Sequence, residues 1–232
     1  MKRFILISLL VSLDAARVVA QSPKYPPLSE YMMTRDEEIA LARSAAPENV
    51  STRATVKILT GNGYKVASPG DNGFVCMVMR GWTAPTFTPA PFRDLVYDSK
   101  VRAPICFDPV ASRSVLPYYE LRTKFGMEGK NPEAIASGVA MAYALGQLPA
   151  SAGVAFAYMW SAHQHLAPGI GAWRPHMMVF APYYTNSMLG DNDFAGPAPK
   201  VTDDAGTPFA VVVIPVDGNG EIVPKTPQNE RH

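Results

Sequence analysis

All but one of the helix signals of this chain are gathered in one block, and that grouping limits its fold more than any other feature. Asp108-Pro109 and Asn131-Pro132 each place an N-cap side chain ahead of a proline, whose missing N–H costs nothing at the first helical position. Two helices are expected to start there. Pro117 lies inside the first and predicts a kink or restart near Leu116; Ile135, Val139, Ala142, Tyr143 and Gly146 recur at helical spacing in the second until Pro149 ends it. Strand-length apolar runs flank the block on both sides, with no strict alternation of strand and helix. The sequence therefore predicts an α+β domain, a mainly antiparallel sheet of five to six strands with the helices packed on one face, and not a doubly wound parallel fold.

Before the block, Thr34 and Glu37 form a T-x-x-E capping box, which starts a helix expected over residues 35–46 with Ile39, Leu41 and Ala42 among its apolar contacts. Residues 54–60 and 64–68 read as a β-hairpin about Asn62-Gly63, and the run FVCMVMR at 74–80, apolar on both alternating faces, reads as a central strand completing a three-stranded meander. Residues 81–104 interleave Pro85, Pro89, Pro91 and Pro104 with Trp82, Phe87, Phe92 and Tyr97, the composition of an irregular aromatic cover segment. After the block, Val154–Trp160, His176–Ala181 and Phe209–Val216 have strand length and composition, while residues 183–208 read as loop.

Residues 1–20 combine Lys2 and Arg3, an apolar run from Phe4 to Leu13 and small residues before Gln21, the layout of a secretory signal peptide cut after Ala20. Cleavage would leave 18 basic and 19 acidic residues, evenly spread, which argues against nucleic acid or an anionic membrane surface as partner. The apolar run is too short for a membrane span, so a soluble periplasmic or secreted protein is expected, with a single domain over 21–216 and a fraying tail over 217–232. In an oxidising compartment the two cysteines, Cys76 and Cys106, are expected to form a disulfide closing the cover segment.

Chemistry concentrates between Gly153 and Pro182, where two apolar runs flank a Gly/Pro-rich loop holding His163, His165, Trp173 and Arg174, with His176 opening the second run. Alternation of His163 and His165 in an extended segment would aim both imidazoles one way, and with His176 they offer three nitrogen ligands for Zn or Cu, though the spacing matches no standard zinc signature. Trp173 and Arg174 offer an aromatic and cationic wall for a small ligand. Other echoes fail on context: Ser151 lacks the glycine and the strand-to-helix setting of a nucleophile elbow, Asp191 and Asp193 lack the later oxygen ligands of a calcium loop, and Gly61-x-Gly63 opens a strand.

The runs RDEEIALARSAAP, GNGYKV, NGFVCMVMRGW, APICFDP and WRPHMMVFAP resemble those of a group of exported bacterial proteins of uncharacterised function. The resemblance implies export and one domain, and brings no activity with it. The function expected from the residues is small-ligand binding by the 161–176 loop and the aromatic cover segment. The alternatives are a metal-dependent enzyme using His163, His165 and His176 around a Zn or Cu ion, and a structural or partner-binding protein of the envelope.

Overall fold

The computed structural model describes residues 24–83, 92–149, 153–165, 175–191 and 198–216. The signal-peptide segment, the tail from 217, Trp173 and Arg174 lie outside these residues. Eight strands form one sheet: β1 Thr55–Thr60, β2 Gly63–Ser68, β3 Val75–Met79, β4 Ala103–Phe107, β5 Ala155–Met159, β6 His176–Phe180, β7 Lys200–Asp203 and β8 Val211–Pro215. Their spatial order is β2-β1-β3-β4-β5-β6-β8-β7. The helices are α1 Arg35–Arg43, α2 Glu48–Ser51, α3 Pro109–Ser114, α4 Leu116–Met127 and α5 Pro132–Ala144.

The α+β class stands, with corrections. The sheet has eight strands instead of five to six, because β4 begins inside the proline-rich segment and β7 inside the segment read as loop. The first three strands are not a meander: β3 skips β2 and lies parallel to β1, the one parallel pair in an otherwise antiparallel sheet. Helices also cover both faces. Alternation along β3 and β4 sends Cys76, Val78 and Cys106 to one side, under Ala42 and Ala45 from α1 and the turn after it, and Met77, Met79, Ile105 and Phe107 to the other, under α3, α4 and α5.

The local signals held where chemistry was specific. Thr34 and Glu37 make both bonds of the capping box, and Asp108 and Asn131 accept from Ala111 N and Ala134 N at 2.6 and 2.8 Å. Pro117 separates α3 from α4 at Leu116. Gly63 adopts the positive φ of +86° that the hairpin turn needs. The Cys76–Cys106 disulfide is present, but its cysteines face each other across the β3–β4 ladder and are fully buried, so it cross-links the sheet centre instead of the margin of a loop.

β1 and β3 pair only at Thr55–Val75 and Val56–Cys76 and then part. The opening is filled by polar groups from three elements. Arg80 and Glu38 of α1 form an ion pair at 2.9 Å, both side chains essentially unexposed. Glu38 accepts from Leu59 N at 3.0 Å, Arg80 Nε donates to Tyr31 O at 2.8 Å, and Val78 O accepts from both Arg80 Nη1 and the Tyr64 hydroxyl. Backbone groups that strand divergence would leave unpaired are thereby satisfied.

Candidate functional site

Pro104 decides where the histidine loop leaves the sheet. The closely spaced pair Cys76–Cys106, with Cα atoms 3.9 Å apart, is of the type whose N–H groups point away from the partner strand, and Val78–Pro104 two residues on is of the same type. Pro104 thus presents its missing donor to the β5 side, where β5 pairs with β4 only at Cys106 and Phe107. Beyond them the chain turns out of the sheet at 161–164 and returns at His165, whose backbone exchanges two hydrogen bonds with Arg102 at 2.7 and 2.8 Å. Ser161, buried at the start of the turn, holds Ser44 Oγ at 2.7 Å and accepts from His163 N at 3.1 Å.

Residues 162 and 163 are a turn, so His163 and His165 do not alternate along an extended strand; both are exposed. His176 is 2% exposed within β6, on the same face as Met178 and Phe180, opposite Met159 on one side and Pro215 on the other. Among the described residues no group of three or more His, Cys, Asp or Glu is placed to hold a metal ion. The three-histidine Zn or Cu constellation is accordingly not assembled there, for a physical reason: two imidazoles stand on the surface and the third is locked into the core.

Concave surface gathers instead where the aromatic cover segment meets the end of α4. A cleft of about 490 Å³ is walled by Tyr25, Pro26 and Pro27 on one side and by Gly126, Met127, Gly129 and Asn131 on the other, with Tyr31, Trp82 and Tyr97 behind. Each wall has a sequence cause. Prolines keep the 24–27 segment extended, Pro27 having φ −65° and ψ 151°. Tyr25 then stacks on Tyr97, centroids 3.4 Å apart and planes within 8°, while Tyr31 stacks on Trp82 at 4.2 Å. Gly126 lets α4 reach the indole, since a Cβ there would stand 2.2 Å from Trp82 Cγ. The Tyr97 hydroxyl donates to the carbonyls of Gly126 and Lys130, tying the cover segment to the C-terminal end of α4.

One cation and one carboxylate line the cleft, Lys24 and Glu128, the latter paired with Lys130 at 3.1 Å. The cleft lies at the C-terminal, negative end of α4, whose last carbonyls accept from Glu128 N, Gly129 N and Lys130 N. The chain's own ammonium already uses one ring: Lys24 Nζ lies 5.4 Å from the Tyr25 centroid. Burial, with the charges of Glu30 and Asp98, pushes the Tyr31 hydroxyl up to about 12, and burial raises Tyr97 as well, so both stay neutral donors at ordinary pH. A second cleft of about 610 Å³ adjoins the first, sharing Leu28, Met127 and Glu128, and holds the Lys57–Glu120 ion pair.

A separate buried polar centre lies under α4. The Tyr118 hydroxyl bridges Arg122 and Asp204, whose charged atoms are 3.7 Å apart, and Arg122 Nε donates to Trp82 O at 3.3 Å. Burial pushes the Asp204 carboxyl above its usual range, with Arg122 opposing. Asp204 takes a left-handed φ of +52° and pins the 204–207 turn to the helix. The crevice beside Tyr118 measures about 20 Å³, room for a single water, so this centre is structural.

Sequence reasoning placed Trp82 and Tyr97 in a cover segment but missed the cleft, because its other walls come from residues 24–31 and 126–131, distant in the chain. The tyrosine and proline spacing of 25–31 was the signal available. No family model matches this chain, and neither a curated protein nor a solved structure matches it.

Proposed function

We propose that this is an exported binding protein whose ligand surface is the aromatic cleft at the end of α4, taking a small molecule that carries a methyl-rich or ammonium cation beside an apolar ring. The observation that carries the reading is the Tyr25–Tyr97 ring stack at the negative end of α4, backed by the buried Tyr31–Trp82 stack, with Lys24 already lying over the Tyr25 ring. Export is supported by the layout of residues 1–20 and by a disulfide between the only two cysteines. The 161–176 loop contributes to this reading only through Arg102, which His165 holds at the backbone and which itself donates to Ser99 O in the cover segment.

The test is nuclear magnetic resonance titration with benzyltrimethylammonium, with benzyl alcohol as the uncharged control. Shifts confined to Tyr25, Tyr97 and the end of α4, stronger for the cation and lost in Tyr25→Ala, are expected. Tyr25 is only partly buried, so its removal takes a ring from the cleft without opening the core. No perturbation at millimolar concentration, or equal perturbation by the uncharged control, overturns the reading in favour of a structural or partner-binding envelope protein.

A further inference from the structure

Two Asn-Gly pairs lie among the described residues, Asn62-Gly63 and Asn72-Gly73. An asparagine followed by glycine is open to attack on its side-chain amide carbon by the next backbone nitrogen, because glycine carries no Cβ to block the approach. The fold treats the two pairs differently.

Asn62 is exposed at the tip of the β1–β2 hairpin, and its side-chain amide has no partner among the described residues. Thr60 Oγ1 accepts from Asn62 N at 3.2 Å and donates to Gly63 O at 2.6 Å, bonds that hold the backbone of the tip and leave the amide free. A Cβ built on Gly61 or Gly63 would meet nothing within 4 Å, so neither glycine beside Asn62 is packed against another element. Thr60–Gly63 is also the outermost rung of the ladder, the rung that frays first, and fraying lets Gly63 N reach the amide.

Asn72 is half-buried, and its amide is held at both ends: Nδ2 donates to Val50 O at 2.8 Å and Oδ1 accepts from Phe74 N at 3.1 Å. Gly73 lies against α3, where a Cβ would stand 3.1 Å from Pro109 Cγ. Turning this amide toward Gly73 N requires both bonds to break and the turn to lift from the helix.

We propose that Asn62 is a modification site, converted through a succinimide to isoaspartate and aspartate in the folded chain, while Asn72 keeps its amide for as long as the fold holds. Hydroxide removes the Gly63 N–H proton, the nitrogen bonds to Asn62 Cγ, and the Cγ–Nδ2 bond breaks with release of ammonia. Water then opens the ring. Breaking the new bond to Cγ restores the ordinary peptide as aspartate; breaking the original bond to the Asn62 carbonyl carbon leaves isoaspartate, with the chain running through Cγ. Either product puts a carboxylate at the second cleft, which Asn62 lines together with Lys57, Glu120 and Lys124. Isoaspartate also lengthens a turn whose geometry sets the register of the hairpin. The reaction is independent of the ligand proposed for the first cleft, which Asn62 does not line.

The test ages the full chain in neutral and mildly alkaline buffer, reduces it, and digests it with trypsin in heavy-oxygen water, which marks any deamidation that occurs during digestion. Cleavage after Lys57, Lys65 and Arg80 separates Asn62, in peptide 58–65, from Asn72, in peptide 66–80; a third pair, Asn219-Gly220, lies outside the described residues and in another peptide. Peptide 58–65 is expected to exchange NH2 for OH and to split into two chromatographic forms of equal mass, faster as pH rises. Peptide 66–80 should react at least about tenfold more slowly, the factor that an opening cost of about 1.4 kcal/mol imposes. In urea with the disulfide reduced the two rates should converge. An unchanged peptide 58–65, equal rates in the native protein, or a tenfold difference that persists in urea overturns the proposal.

Discussion

Tyr31 joins packing, titration and the cleft in one side chain. It is 1% exposed, stacks on Trp82, and donates to Tyr97 O at 2.9 Å. Because the folded state holds its proton up to about 12, against an ordinary value of 10.0, the folded chain binds more protons than the unfolded chain between those values. Stability is then complete below about pH 10 and falls as pH rises through 12. Tyr31→Phe should lessen that alkaline slope, to which the burial-raised Tyr64, Tyr97 and Tyr118 also contribute, and cost about 1 kcal/mol at neutral pH through the lost hydrogen bond, as measured by urea unfolding from pH 7 to 12. His176 makes a contrasting case. Buried in β6 between Met159 and Pro215, it has a structural setting, and His176→Ala should lower stability by about 1 to 3 kcal/mol while leaving benzyltrimethylammonium binding by the folded fraction unchanged. Lost binding with an unchanged melt would return His176 to the site.

At the scale of elements, the β3–β4–β5 region depends on what Pro104 and the two cysteines allow. A proline in a sheet centre is tolerated because its neighbour strand turns away opposite it, and that departure exposes His163. The cross-strand disulfide lies at 0% exposure beneath α1. A thiol reductant should therefore leave the native protein oxidised, and reduction, read as a mass gain of two hydrogens, should require denaturant. The Cys76→Ala, Cys106→Ala double variant should lose about 3 kcal/mol, the chain-entropy value for a loop of this length, with hydrogen exchange rising in β3 and β4 as well as in the 92–101 segment. Exchange confined to 92–101 would show that the bond serves the cover segment alone.

At the scale of the whole molecule, one buried ion pair holds α1, β1, β3 and the 28–31 turn together. Glu38→Gln leaves the Arg80 guanidinium buried without its counter-charge, and a loss of about 3 to 5 kcal/mol in global unfolding is expected. A loss below 1 kcal/mol would mean that solvent reaches the pair on relaxation. Glu38 was invisible to pattern reading, since a glutamate in the first turn of a capped helix reads as solvent-facing. The same limit governs the rest. What the chain determined by itself were features set within a few residues: the capping box, the Asx-Pro helix starts, the break at Pro117, the Asn62-Gly63 turn and the apolar strand runs, each fixed by local sterics and hydrogen bonding. The tertiary structure alone decided that β3 crosses β1 to pair in parallel, that β4 and β7 find partners despite weak signals, that helices cover both faces, and that Tyr25, Trp82, Tyr97 and Gly126 share a cleft. Those outcomes depend on which strand edge meets which, and on apolar faces buried between residues far apart in the chain, so no local window contains them.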